Sequence, residues 1–164
     1  MALPLSEVWL SDIGLANVAI EVIEASHAGM WAETVCQGLF PRTVPCAELL
    51  ETVTAIACSS STRCFLARIE GQIAGAAALT FHDGVANVFG ASTLPEHRGR
   101  GVHTALLRAR LQWARREGYE IAASVAVPGS GSSRNILRCG FRVLYTRVKF
   151  EGRQISRRNQ GKGG

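Results

Sequence analysis

Apolar residues along this chain first alternate and then recur at helical spacing. The run Val18-Ala-Ile-Glu-Val-Ile-Glu-Ala25 alternates as a half-buried strand does. Ser26 then stands where an N-cap belongs, ahead of a helix through Trp31, Val35 and Leu39 that Pro41 ends. A second helix is expected from Ala47 to Cys58, where Leu49, Leu50, Val53, Ile56 and Ala57 supply an apolar face and the Ser59–Thr62 cluster stops it. Arg63 to Glu70 and Gln72 to Phe81 are β-rich runs separated by Gly71, which predicts a hairpin, and His82-Asp83-Gly84 reads as a turn into a further strand, Val85 to Thr93.

A loop, Leu94 to Gly101, comes next. Beyond it Val102, Ala105, Leu106, Ala109 and Trp113 share one helical face, Leu107, Leu111 and Ala114 widen that face, and Gly118 sits at the position that ends a helix. Ile121 to Val127 reads as a buried strand, Pro128 to Gly131 as a loop, Ser132 to Cys139 as a short helix and Phe141 to Phe150 as a final strand. The order β-α-α-β-β-β-α-β-α-β predicts one α/β domain over residues 18–150. Residues 1–17 precede it. Leu5 to Leu10 is a short β-like run, so this stretch is read as an N-terminal extension or an edge strand outside the core, added to this sheet or to a second copy in a homodimer. Residues 151–164 are polar, basic and glycine-ended and are expected to be a disordered tail.

Composition narrows the class. With 164 residues, 47% hydrophobic and 19% charged, the chain is one soluble domain. Gly75, Asp83 and Gly84 interrupt the greasiest stretch, so no membrane span is expected, and the first residues lack a secretory pattern, which points to the cytoplasm. Five cysteines without a C-x-x-C suit neither a disulfide framework nor a zinc knuckle, and they are read as reduced thiols. Charge divides the chain: residues 1–97 carry 3 basic and 10 acidic side chains (−7), and residues 98–164 carry 15 and 3 (+12). An anionic ligand is therefore expected on the second half. Nucleic acid is not expected as the partner, because aromatic content is 7% and no basic–aromatic stacking surface is evident.

Arg98-Gly99-Arg100-Gly101 lies between a strand and a strongly amphipathic helix. Its glycines can turn free backbone N–H groups toward an anion at the helix start, a geometry that suits a pyrophosphate. The other reading is a plain tight turn with exposed arginines. An arginine-glycine RNA-binding tract is set aside because the unit occurs once and opens a helix.

The segment Thr93-Leu-Pro-Glu-His-Arg-Gly-Arg-Gly-Val-His-Thr-Ala-Leu-Leu107 resembles motif A of the GNAT family of N-acetyltransferases, Arg/Gln-x-x-Gly-x-Gly/Ala. The element order, the strand before the loop and the Gly140-Phe141 pair after a short last helix match that family over about residues 18–150. Ala91–Glu96, Pro128–Asn135 and Gly140–Arg147 further resemble a bacterial branch in which the domain is often the C-terminal half of a tandem pair. The resemblance implies a GNAT-like mixed, mostly antiparallel sheet with flanking helices and strands splayed at the cofactor site. It implies an N-acetyltransferase that moves acetyl from acetyl-CoA to an amine, on a small molecule or a peptide. The alternative it leaves open is an acyl-CoA-binding regulatory or structural domain without transfer.

The resemblance places acetyl-CoA in a V between the strands Ala86–Thr93 and Ile121–Val127. Pantetheine would pair with backbone at Ala91, Ser92 and Thr93, and pyrophosphate would sit on the amides of Arg98, Gly99, Arg100, Gly101, Val102, His103 and Thr104. Two positions depart from the pattern. His103 replaces a small residue, so its imidazole is expected to point away from the cofactor. Ile136 stands where the family's tyrosine acid lies, four residues before the Gly-Phe pair. Tyr145 is the nearest remaining phenol for protonating the thiolate, with core packing as its other role. Asn87, where the family often has a carboxylate, cannot serve as a base, so either water relays the proton or the amine arrives deprotonated.

The remaining polar candidates have plainer readings. His82 and Asp83 suit a turn, and His27 and His97 lack partners at metal-ligand spacing, so no metal is expected. Glu33 is read as part of a solvated helix face, with a substrate cleft as the alternative. The acidic first half favours a cationic amine as acceptor.

Overall fold

The computed structural model describes residues 1–7, 17–148 and 150. Its strands are β1 (Ala2–Pro4), β2 (Ala19–Ile23), β3 (Thr62–Ile69), β4 (Gln72–His82), β5 (Val85–Thr93) and β6 (Ile121–Ser124). Its α-helices are α1 (Ala28–Leu39), α2 (Ala47–Ala57), α3 (Val102–Arg116) and α4 (Gly131–Arg138). The sheet order is β1-β6-β5-β4-β3-β2, with every neighbouring pair antiparallel except β5 and β6.

Local chemistry sets the central meander. Glu70 and Gly71 join β3 to β4 at φ 53° and 79°, and Asp83 and Gly84 join β4 to β5 at φ 47° and 76°. Two consecutive left-handed residues make the turn whose twist matches the flanking strands, and Asp-Gly is well suited to it. His82 and Asp83 do approach to 3.1 Å, but their side chains are 79% and 85% exposed, which leaves them a surface pair on a turn.

Apolar alternation sends the two faces of the sheet to different helices. Phe65, Ala67, Ala77, Leu79, Ala86 and Val88 pack with Val102, Leu106, Leu107 and Leu111 of α3. Cys64, Leu66, Ala76 and Ala78 pack on the other face with Trp31, Ala32 and Val35 of α1. The five cysteines are free thiols. Burial pushes the Cys64 thiol up to about 12.

The far edge of the sheet differs from expectation in several places. Residues 2–4 form an edge strand of this sheet, one of the readings given for residues 1–17, but not outside the core: Leu3 and Leu5 are 2% and 1% exposed within it. The β-like run from Leu5 begins instead as a 3-10 turn over Leu5–Glu7; its continuation, Val8 to Leu10, lies outside the described residues. Among the described residues of Phe141–Phe150 the expected strand does not form, and Arg142 alone makes a bridge, to Ala2. The reason is occupancy. The edge of β6 that such a strand would pair with is taken by β1, register Ala2↔Ala123 to Pro4↔Ile121. Val143, Leu144, Tyr145, Val148 and Phe150 are left exposed. The tail 151–164 lies outside the described residues. Finally, β6 ends at Ser124 and does not reach Val127, because its partner strand turns away there, as described next.

Candidate active site

Between β4 and β5 the register moves from Ala76↔Ser92 to Ala78↔Phe89, which sets Ala77 against the two residues Gly90 and Ala91. This is a β-bulge, and it bends the strand that carries it. Gly90 adopts φ 59° there. Both faces of the sheet hold the bulge. Trp31 Nε1 donates to the Ala77 carbonyl at 3.1 Å from the α1 side. From the α3 side, Arg110 Nη1 donates to the carbonyls of Ala78 and Phe89, each at 3.0 Å.

The bend opens β5 from β6. Their parallel pairing runs from Val85↔Ile121 to Val88↔Ser124 and stops, and Ser124 Oγ donates to the Val88 carbonyl at 3.1 Å as the last link. Beyond it lies a cavity of about 240 Å³ whose walls include Gly90 and Ala91 of β5, His103 and Arg110 of α3, and Ser132 and Ile136 of α4.

The glycine loop leads into the same place. Gly99 and Gly101 have φ 76° and 82°, and Gly101 is the residue immediately before α3. The Ala105 amide is the one that donates to the Gly101 carbonyl, at 3.0 Å. The amides of Val102, His103 and Thr104 precede it and are the orphan donors that a helix start leaves. His103 is one of the residues that line the cavity, so this row of donors and the cavity adjoin. A diphosphate on the amides and an extended chain in the gap match the shape of coenzyme A, and these residues fit that group.

His103 is turned across to α4. Asn135 Nδ2 approaches its Nδ1 at 3.4 Å as donor, which leaves the proton on Nε2 to donate to Ser132 Oγ at 3.2 Å. Burial, then the charge of Arg110, pulls the imidazole pKa down to about 4. It is a neutral wall residue. Ser130 caps α4 by accepting the Ser133 amide at 3.0 Å, which fixes where Ser132 and Asn135 fall.

The other residues singled out in the sequence are distributed as follows. Ala91 lines the cavity, and Thr93 follows on the same strand. Ser92 is 4% exposed and its hydroxyl donates to the Thr34 carbonyl of α1 at 3.1 Å, a packing contact. Arg98 Nη2 donates to the Gly38 carbonyl at 3.0 Å, and Arg100 pairs with Glu70 at 3.6 Å on the surface. Tyr145 is 72% exposed and is not a lining residue. Glu33 is exposed. Among the described residues no group of three or more His, Cys, Asp or Glu side chains could hold a metal ion, and no helix is long and apolar enough to cross a membrane.

Sequence reasoning passed over Arg110, Ser124 and Ser132. Arg110 did leave a signal: it lies four residues after Leu106 and four before Ala114, a charge inside the apolar stripe of α3. Ser124 and Ser132 left none, because a serine near a strand end or helix start is ordinary.

Comparison with known proteins shows the family and the fold. The sequence model of the acetyltransferase (GNAT) family matches residues 33–141, and the chain belongs to that family. It is accordingly an acyl-CoA-dependent N-acetyltransferase, with acetyl-CoA as co-substrate. Its fold is similar to that of the aminoglycoside N-acetyltransferase AAC(6')-Iy in complex with a CoA bisubstrate analog. The identity there is 23% and the TM-score 0.65, over 83% of this chain and 98% of that one. It is also similar to a predicted acetyltransferase with acetyl-CoA from Clostridium acetobutylicum, at 15% identity and TM-score 0.65, over 82% and 96%. A third likeness is to the aminoglycoside 6'-N-acetyltransferase AAC(6')-Ih from Acinetobacter baumannii, at 21% identity and TM-score 0.62, over 83% and 98%. No curated protein matches the sequence.

Proposed function

We propose that the chain acetylates a small, positively charged amine, using acetyl-CoA held in the gap between β5 and β6. The observation that carries this reading is the end of β5–β6 pairing at Val88 and Ser124, which opens a cavity beside the orphan amides of α3. In this reading the amides from Gly99 to Thr104 hold the pyrophosphate, and the backbone at Ala91 and Thr93, beyond the last β5–β6 pair, takes pantetheine as if it were another strand. Acetyl-CoA supplies an activated thioester. A backbone N–H of the bulged strand then polarises the carbonyl, a preorganised donor that costs no rearrangement during the reaction.

The chain offers little acid–base help. Ile136 has no proton to give and Asn87 cannot take one, so the amine attacks in its neutral form and its proton passes to water. The −7 charge of residues 1–97 supports a cationic acceptor, and so does the likeness to aminoglycoside acetyltransferases. The test is release of free CoA from acetyl-CoA with a panel of aminoglycosides, polyamines and peptide N-termini. Turnover is expected with the first two groups. Binding of acetyl-CoA without release in the presence of any amine would favour a binding domain, and preference for peptides would overturn the acceptor class.

A further inference from the structure

Arg110 is 2% exposed, the most deeply buried charged side chain among the described residues, and it takes part in no ion pair there. A guanidinium has five N–H groups. Three are committed, Nε to the Leu106 carbonyl and Nη1 to those of Ala78 and Phe89, all at 3.0 Å. The two on Nη2 meet no acceptor among the described residues, and Arg110 is part of the cavity wall. Burying a charge without a counter-ion is unfavourable, and carbonyl dipoles offset only part of the cost. Burial pulls the guanidinium pKa down to about 9, so it is still charged near neutrality.

A buried cation with two N–H groups left over, in the wall of a gap whose lining holds no carboxylate, is a site for an anion. The lining residues include no carboxylate, and where the resemblance implies a tyrosine acid the wall holds Ile136, 3% exposed. We propose that Arg110 is an anion-binding residue of the transfer site and that its anion is the CoA sulfur, stabilised as the thiolate when the thioester bond breaks. This rests on the reading that the cavity holds the acyl–sulfur end of CoA. The amine nitrogen bonds to the acyl carbon, the carbon–sulfur bond breaks, the electron pair stays on sulfur, and the amine proton goes to water. A dicarboxylic acyl chain would offer the same guanidinium a carboxylate instead, and the test below separates the two sources.

The other titratable groups do not interfere. His103 is the one besides Arg110 in the cavity wall, and with a pKa of about 4 it stays neutral above pH 6. β5 and β6 contribute no titratable side chain, and β4 has only His82, at its exposed end. Cys139, just past α4, is outside the wall and its thiol is pushed up by burial.

The experiment is calorimetric binding of CoA and of desulfo-CoA, which lacks the thiol, from pH 6 to 8.5. An ordinary thiol has a pKa of about 8.5, and a guanidinium contact that lowers it to about 7 would raise CoA affinity relative to desulfo-CoA by roughly tenfold across that range. In Arg110→Met the ratio should be flat, and Arg110→Lys should restore part of the slope. If neither variant folds, the wild-type slope decides alone, and a flat wild-type ratio overturns the assignment of the thiolate. A flat ratio with succinyl-CoA bound at least about tenfold more tightly than acetyl-CoA would move the anion to the acyl chain. A flat ratio without that preference removes the anion site. Failure of both CoA and desulfo-CoA to bind would instead defeat the underlying reading of the cavity.

Discussion

Arg98 reaches from the glycine loop to the end of α1, where its Nη2 donates to the carbonyl of Gly38 at 3.0 Å. The contact ties the turn before α3 to the helix on the opposite face of the sheet. Gly38 permits a second tie at the same point: a Cβ there would lie 2.6 Å from Ser92 Cβ and 3.1 Å from the Thr93 amide nitrogen. Only glycine lets α1 approach β5 this closely.

Gly38→Ala is therefore expected to overpack the α1–β5 contact and destabilise the fold by about 1–3 kcal/mol. Ser92→Gly in the same chain should recover part of that loss, because it removes the closest clashing atom. Chemical denaturation of the single and double variants measures it; an unchanged midpoint for Gly38→Ala would show that the helix can slide away freely.

Gly101→Asp sets a carboxylate on the turn that opens α3, against the orphan amides and any diphosphate they hold. Wild-type protein should gain thermal stability with acetyl-CoA by mass action, and the variant should lose that gain. Arg100→Ala should weaken binding mainly at low salt, as suits an exposed charge, while Arg98→Ala should also loosen the loop because its bond to Gly38 is lost. Equal thermal shifts for wild type and Gly101→Asp would place the diphosphate elsewhere.

His103 predicts an acid-labile step. Its pKa is about 4 in the fold against an ordinary 6.5, so below pH 6.5 the unfolded chain binds the proton more readily than the native one. The stability it contributes is complete above pH 6.5 and is lost progressively as pH falls toward 4. His103→Gln should flatten that part of the Tm-against-pH curve while retaining a partner for Ser132; an identical slope in both proteins would assign the step to another group.

Leu3 is 2% exposed, and Leu3→Ala should cost about 2–5 kcal/mol through lost burial and the cavity left behind. Removing residues 1–5 should do more, since it also bares the ladder edge of β6 from Ile121 to Ala123. Urea titration and light scattering would register both; a truncated chain as stable and monodisperse as the full one would show that β1 is dispensable.

Tyr145 is 72% exposed and stands apart from the cavity wall. Tyr145→Phe should change kcat by less than about tenfold, well short of the roughly 10²–10⁴-fold typical of a lost general acid. A larger loss with normal acetyl-CoA binding would mean that the segment closes over the site during turnover.

The sequence by itself determined what depends on neighbours along the chain. Period-2 and period-3.6 patterns marked β2 to β6 and the four helices, Glu70-Gly71 and Asp83-Gly84 marked the hairpins, and Arg98–Gly101 marked the glycine loop, because turns, caps and amphipathic faces are local in origin. Tertiary structure decided what depends on partners distant in sequence. Phe141–Phe150 alternates as a strand does, yet β1 holds the edge of β6, and only Arg142 bridges to the outer edge of that three-residue strand. The bulge at Gly90–Ala91 exists because Trp31 and Arg110 satisfy the carbonyls around it from 46 and 32 residues away along the chain, at Ala77 and Ala78. An arginine in an apolar stripe is only a misfit in the sequence. It acquires a function once the splay of β5 from β6 gives its unused N–H groups a cavity to face.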